Sequence, residues 1–126
     1  MDEPTRRVVM AAIPELLFAT RVAETARLAG VDFVSSSFGA LVERCRERRP
    51  DLVLVDLAAP GDPMAAIAAL RATPGLADLP VFGFYPHVHD HLRVAAIAAG
   101  ATTVLPRSAF TSKLPEVLAG TFPAPR

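Results

Sequence analysis

Pro50-Asp51-Leu52-Val53-Leu54-Val55-Asp56-Leu57 is the stretch of this 126-residue chain that decides its fold. Its apolar centre is typical of a parallel strand that is buried on both faces of a sheet. Leucine and β-branched side chains favour a strand, and the run stops at a carboxylate before Pro60-Gly61-Asp62-Pro63 turns the chain. The stretch therefore predicts a central strand that carries Asp56 at its carboxyl end.

Further strand-sized segments lie on both sides of this one, and each is followed by a helical pattern. The predicted strands cover residues 7–13, 31–35, 51–57, 81–85 and 102–105. The predicted helices cover residues 15–29, 39–48, 64–71, 91–99 and 111–119. Glycine stands where helices end, at positions 30, 100 and 120. This alternation predicts an α/β fold, with a parallel sheet, right-handed crossovers and helices on both faces.

The composition restricts the class of protein. Hydrophobic residues make up 52% and charged residues 21% of the chain, which is typical of a globular domain. The formal net charge is zero, so nothing in it indicates a nucleic acid or an anionic membrane as partner. No apolar run could span a bilayer, no secretory signal is evident, and Cys45 is the only cysteine. We expect one cytoplasmic domain over residues 1–126, with a core from about 6 to 120 and a proline-rich tail.

In such sheets functional groups gather beyond the carboxyl ends of the strands, where the strand order reverses. In a five-stranded sheet of order 2-1-3-4-5, this point lies between the first and third strands. Ala11, Ala12 and Asp56 are therefore expected to be close neighbours, with Tyr85 and Arg107 at the rim.

Several segments, in this order and spacing, resemble the receiver domains of response regulators in two-component signalling. They are 50–57 with Pro60-Gly61, Thr73-Pro74 with residues 77–81, and the approach to the last strand at 98–105. The resemblance extends from about residue 6 to 120. It implies a three-layer, flavodoxin-like (βα)5 fold and places Asp56 at the phospho-accepting aspartate of the family.

The metal-binding part of the implied site differs from the family. Active receivers carry acidic residues after the first strand, which help to hold a magnesium ion. Here those places read Ala11, Ala12 and Ile13. Magnesium needs oxygen ligands in near-octahedral geometry, and Asp56 alone is a poor site. We therefore expect weak or absent magnesium binding, no other cofactor and no enzymatic activity.

The switching part of the site differs as well. Tyr85 replaces the threonine or serine that contacts the phosphoryl group, and a phenol is too bulky for the same short movement. Arg107-Ser108 replaces a lysine followed by a cis-proline, and the planar fork of arginine differs from the point charge of lysine. One hypothesis is that Arg107 pairs with Asp56 without a metal. The alternative is a solvated Asp56 with Arg107 pointing outward.

A histidine-rich segment follows the fourth predicted strand. His87, His89 and His91 alternate around Asp90, whereas zinc needs three or four converging ligands. Because the chain passes here from strand to helix, we expect a loop with Asp90 as the N-cap of the next helix. The alternative for His87 is a local bond to Tyr85 or Asp56 above the site.

Three functions are compatible with these observations. The first is a standalone pseudo-receiver, a phosphorylation-independent protein-interaction module in bacterial signal transduction. The resemblance implies that another signalling protein, or a second copy of the chain, binds the face made by helix 91–99, strand 102–105 and helix 111–119. The second is an unconventional phosphoacceptor that uses Asp56. The third is a small-ligand or metal sensor in the strand-end cleft between Ala11, Asp56 and Tyr85.

Overall fold

A computed structural model describes residues 6–122, which form a five-stranded parallel sheet with helices on both faces. The strands are β1 (Val8–Ala12), β2 (Asp32–Ser35), β3 (Leu52–Asp56), β4 (Val81–Tyr85) and β5 (Thr103–Pro106). Their order in the sheet is β2-β1-β3-β4-β5, and each neighbouring pair is parallel. The predicted fold class and strand order are confirmed. The end of the predicted proline-rich tail lies outside the described residues.

The helices follow the strands along the chain. They are α1 (Leu16–Leu28), α2 (Leu41–Glu47), α3 (Pro63–Ala72), α4 (His91–Ala99), α5 (Arg107–Ser112) and α6 (Leu114–Ala119). The prediction of one helix over 111–119 is wrong, because two short helices meet at Lys113. Pro115 lies in the first turn of α6, where its missing N–H is not needed, and it could not continue a helix that began at Arg107. Within residues 6–122, no helix has the length and apolar character that crossing a membrane requires.

The two faces of the sheet bury different side chains. Under α1, α5 and α6 lies an aromatic cluster in which Phe84 stacks on Phe110, with 4.5 Å between ring centroids, and Phe18 is tilted against both. Under α2, α3 and α4 the core is mainly aliphatic and includes Tyr85. Because successive side chains of a strand point to opposite faces, β4 sends Phe84 and Tyr85 to different cores.

Helix α1 begins at a side-chain cap and presents apolar residues to the outside. The carboxylate of Glu15 accepts a hydrogen bond from the backbone N–H of Phe18, at 2.8 Å. Leu17 is 81% exposed. It precedes Arg21 by four residues and Leu28 by eleven, so the three share the outward side of the helix.

The edge of the sheet where the strands begin, here called the amino edge, is fixed by one arginine. Arg71, near the end of α3, donates hydrogen bonds to the carbonyls of Ala77, Leu79 and Gly100 and to the hydroxyl of Thr102. Gly100 has φ of +113°, and a Cβ there would lie 2.6 Å from Cγ of Arg71. The glycine therefore serves both the left-handed turn after α4 and the close approach of the arginine.

Candidate functional site

The opposite edge of the sheet, the carboxyl edge, holds Asp56. It is the last residue of β3 and is 8% exposed. Its Oδ1 accepts a hydrogen bond from the backbone N–H of Ala58 at 3.1 Å. Burial raises the pKa of this carboxyl, while the Ala58 N–H and the charge of Arg107 oppose the rise. Asp56 is thus a buried acid whose charge is supported mainly by backbone.

An open cleft of about 450 Å³ lies over Asp56. Its apolar lining consists of Pro14, Ala58, Ala59, Pro60, Phe84 and Pro86. Its charged lining consists of Glu15, Asp56 and Arg107. The cleft was expected between Ala11, Asp56 and Tyr85, but of these three only Asp56 lines it. Ala11 is buried within the sheet, and Tyr85 points to the opposite face.

Ala11 and Ala12 lie at the end of β1, beside the end of β3. They pair in register with Leu54 and Val55, so the prediction that they are neighbours of Asp56 agrees with the geometry. Both side chains are fully buried methyl groups, and neither offers an oxygen ligand. The nearest acid along the chain is Glu15, which caps α1.

The residues of the cleft do not fit a magnesium site. Among the described residues that line it, the carboxylates are those of Asp56 and Glu15. Across residues 6–122, no group of three His, Cys, Asp or Glu side chains is arranged to hold a metal ion. Magnesium usually retains waters but needs carboxylate or other oxygen ligands in octahedral geometry. The lining of the cleft thus offers fewer oxygen ligands than a magnesium ion requires.

The hypothesis that Arg107 pairs with Asp56 is wrong. Its guanidinium lies over the ring of Phe18, with Cζ 3.9 Å from the centroid. The carboxylate that it meets within 4 Å is that of Glu15, with Nη2 and Oε2 at 3.7 Å. Because the aromatic face attracts the cation and Glu15 stands beside it, the side chain turns away from Asp56. Of the alternative, the solvated Asp56 is wrong because that residue is buried, whereas Arg107 does turn away from it and is partly exposed.

Two other predicted positions lie away from the cleft. Ser108 is exposed in the first turn of α5 and does not line the cleft. Tyr85 was expected at the rim but is 2% exposed. Its O–H donates a hydrogen bond to Oδ1 of Asp90 at 2.9 Å. Burial raises the pKa of this phenol, and the bond to Asp90 raises it further.

The histidine segment forms a short 3₁₀ turn before α4, over His87–His89. Asp90 does not cap α4 with its side chain, because that carboxylate accepts the bond from Tyr85 instead. No hydrogen bond joins the exposed His87 to Tyr85 or Asp56, so the predicted local contact is wrong. The rings of His89 and His91 meet edge to face, with centroids 5.8 Å apart.

Sequence reasoning missed several residues of the site, among them Glu15 and Phe84, which line the cleft, and Phe18, which holds Arg107. Phe84 pairs in register with Asp56, and its position next to Tyr85 in β4 was the available signal. If Tyr85 belongs to the aliphatic core, period-two alternation sends Phe84 to the Asp56 side. Phe18 had no such signal, because its contact with Arg107 joins two residues that are far apart in sequence.

No family model and no curated protein sequence matches the chain. Solved structures do match, and they show that the chain has the fold of response-regulator receiver domains. The chemotaxis response regulator CheY4 of Vibrio cholerae matches with a TM-score of 0.80 and 18% identity, over 94% of this chain and 100% of that chain.

Two further receivers match over a similar extent. The receiver domain of the response regulator NarL from Mycobacterium tuberculosis has a TM-score of 0.75 and 21% identity, over 93% of this chain and 96% of that one. The phosphorylated cyanobacterial phytochrome response regulator RcpA has a TM-score of 0.74 and 16% identity, over 92% and 91%. At these identities the likeness establishes the fold and nothing finer.

Proposed function

We propose that the chain is a pseudo-receiver, a module of two-component signalling that acts through protein contacts without aspartyl phosphate. The observation that carries the proposal is the end of β1, where Ala11 and Ala12 present methyl groups beside the end of β3. Phosphoryl transfer to Asp56 would need a cation to neutralise the charge that develops on the transferring group. The lining of the cleft offers too few oxygen ligands for magnesium.

The positive charge of Arg107 does not replace the missing metal. Its guanidinium is held over Phe18 and beside Glu15, and no ion pair within 4 Å joins it to Asp56. Stabilising a phosphoryl group would require the side chain to leave both partners. The proposed role is accordingly non-enzymatic and independent of a cofactor.

The partner is proposed to bind the face that α4, β5, α5 and α6 form, here called the α4–β5 face. Val94 and Ile97 on α4 are 67% and 50% exposed and lie three residues apart, on one side of the helix. Strand β5 is an edge strand of the sheet, so this face has no further strand beside it. Exposed apolar side chains next to a sheet edge support a contact with another signalling protein or a second copy.

A magnesium and beryllofluoride titration tests the lost phosphorylation chemistry. Amide chemical shifts are followed as magnesium is added, and then as beryllium fluoride, a mimic of aspartyl phosphate, is added. We expect no saturable shift at Asp56 or Ala58. Asp62→Asn is the matched control, because Asp62 caps α3 outside the cleft and asparagine also caps helices.

A different outcome would favour the phosphoacceptor. Saturable shifts at Asp56 and Ala58 that Asp56→Asn abolishes and Asp62→Asn retains would mean a working aspartyl switch. The proposed pseudo-receiver would then be wrong.

Sedimentation velocity over a concentration series tests the α4–β5 face for self-association. We expect a dimer that Ile97→Glu weakens and Leu17→Glu leaves intact, since Leu17 is an apolar residue on the other side of the sheet that is even more exposed, at 81% against 50% for Ile97. A dimer that only Leu17→Glu weakens would contradict this face. A monomer at every concentration would exclude the second copy and leave a different protein as the partner.

A further inference from the structure

We propose that the cleft over Asp56 binds a small organic cation, an ammonium, guanidinium or amidinium group carried on a flat apolar body. This proposal does not depend on the signalling role. It assigns a ligand chemistry to the cleft itself, whereas the signalling role concerns the α4–β5 face.

The size and lining of the cleft suit a small molecule. Its volume of about 450 Å³ falls within the range of roughly 300–1,000 Å³ that is usual for ligand pockets. The walls are prolines, alanines and the ring of Phe84, with polar groups at only a few points. Such a lining favours a ligand that is mostly apolar and makes one or two directed polar contacts.

The charges of the cleft leave one carboxylate, that of Asp56, without an ion pair within 4 Å among the described residues. Arg107 and Glu15 lie 3.7 Å apart and offset each other, and the ring of Phe18 holds the guanidinium. Asp56 receives hydrogen bonds from backbone N–H groups and from no side chain among the described residues. With one guanidinium and two carboxylates, the lining carries a net charge of −1. The unbalanced negative charge is that of the buried Asp56.

A cation matches this distribution better than an anion does. An anion beside Arg107 would stand near the carboxylates of Glu15 and Asp56, and both would repel it. A cation meets Asp56 directly and can form a charge-assisted hydrogen bond, which is about twice as strong as a neutral one. Because Asp56 is already buried, part of the cost of removing the carboxylate from water has been met by folding.

Three ligands that share one aromatic ring test the proposal: benzamidine as the cation, benzamide as the neutral molecule and benzoate as the anion. Amide chemical shifts are followed as each is added to the full chain. We expect benzamidine to bind most tightly and benzoate least, with saturable shifts at Ala58, Phe84 and Arg107.

Two variants and a control locate the charge effect. We expect Asp56→Asn to weaken the binding of benzamidine at least tenfold and to leave the binding of benzamide unchanged, because the substitution removes only the negative charge at position 56. Arg107→Gln is expected to strengthen benzamidine by a few fold and weaken benzoate, because it removes the like charge. Asp62→Asn, outside the cleft, is expected to change neither.

Several outcomes would overturn the proposal. These are benzoate binding as tightly as benzamidine, an affinity for benzamidine that Asp56→Asn leaves unchanged, shifts confined to residues outside the cleft, and no binding of any of the three. The ligand series in the unaltered chain decides the charge preference even if a variant folds poorly. The magnesium and beryllofluoride titration adds different ligands, so failure of one proposal does not imply failure of the other.

Discussion

The two edges of the sheet hold their arginines in opposite ways. At the amino edge, Arg71 donates to three backbone carbonyls and one hydroxyl, at 2.7 to 3.1 Å. At the carboxyl edge, Arg107 has one carboxylate at 3.7 Å and an aromatic ring beneath it. Because its acceptors are mostly backbone carbonyls, Arg71 has a structural role in the fold. The partners of Arg107 are side chains, which leaves Arg107 able to move when a ligand binds.

The aspartates that flank β3 repeat this difference. Asp51, just before the strand, accepts a hydrogen bond from the backbone N–H of Val8 at 2.8 Å and so joins β3 to β1. Asp56, at the other end, is buried and has a raised pKa. The strand thus follows an acid with a structural role and ends at a buried acid with a raised pKa, where the cleft lies.

The largest expected effect is at the amino edge. Arg71→Ala is expected to lower the free energy of unfolding by about 3 kcal/mol, because it removes four hydrogen bonds and leaves partly buried carbonyls without a donor. Urea denaturation measures the change, and Arg21→Ala on the exposed side of α1 is the control. A loss below about 1 kcal/mol would mean that water replaces the arginine without cost.

The second effect has the opposite sign and lies at the carboxyl edge. Because the pKa of Asp56 is raised in the folded state, the folded state binds the proton more tightly than the unfolded chain does. The ionised carboxylate therefore costs stability above that raised pKa. Asp56→Asn is expected to stabilise the protein at neutral pH by about 1 kcal/mol, because asparagine places no charge in this buried position.

The pH dependence separates this effect from a change in packing. The gain from Asp56→Asn is expected to shrink as the pH falls through the raised pKa and to vanish below the ordinary value of 3.8. Asp32→Asn is the contrasting variant, because Arg48 and Arg6 lower the pKa of Asp32. Asp32→Asn is expected to destabilise the protein at neutral pH, and this loss of stability disappears as the pH falls through the lowered pKa of Asp32. Urea denaturation at several pH values checks both signs, and a destabilising Asp56→Asn at neutral pH would refute the first.

A third, smaller effect concerns the bond between Tyr85 and Asp90. Tyr85→Phe is expected to cost about 1 kcal/mol, because it leaves the ring in place and removes one hydrogen bond to a carboxylate. The double variant with Asp90→Ala checks the assignment. If the two changes add with no coupling energy, the bond contributes nothing to stability.

The smallest expected effect is at Arg107. Its contacts are half-exposed, so Arg107→Gln is expected to cost about 0.5 kcal/mol, and less at high salt. Denaturation at two salt concentrations measures it. A loss as large as that of Arg71→Ala would remove the difference between the two edges.

The fold, and the positions of the site residues along the strands, could be predicted from the sequence. The apolar run before Asp56 and the glycines at 30 and 100 mark element ends that the structure retains. The position of Ala11 and Ala12 beside β3 also followed, because it depends only on parallel pairing and strand order. The end of the chain could have been predicted better, since Pro115 argues against a helix that continues through it.

The directions of individual side chains could not be predicted in the same way. Tyr85 and Phe84 exchange roles when the alternation of β4 is displaced by one residue, and both are aromatic. Arg107 turns to the ring of Phe18, and this contact joins residues that are far apart in sequence. The bond from Tyr85 withdraws Asp90 from its expected capping role.

The burial of Tyr85 has a practical consequence, because the chain has no tryptophan and this is its only tyrosine. Light at wavelengths that phenylalanine does not absorb excites only the phenol of Tyr85, which lies at the end of β4, shortly before α4. A phenol bonded to a carboxylate is quenched relative to a free one, so its brightness reports whether the contact with Asp90 is made. The protein thus carries an intrinsic fluorescent probe between the cleft and the α4–β5 face, and a ligand or partner that displaces the start of α4 would change its emission without any label.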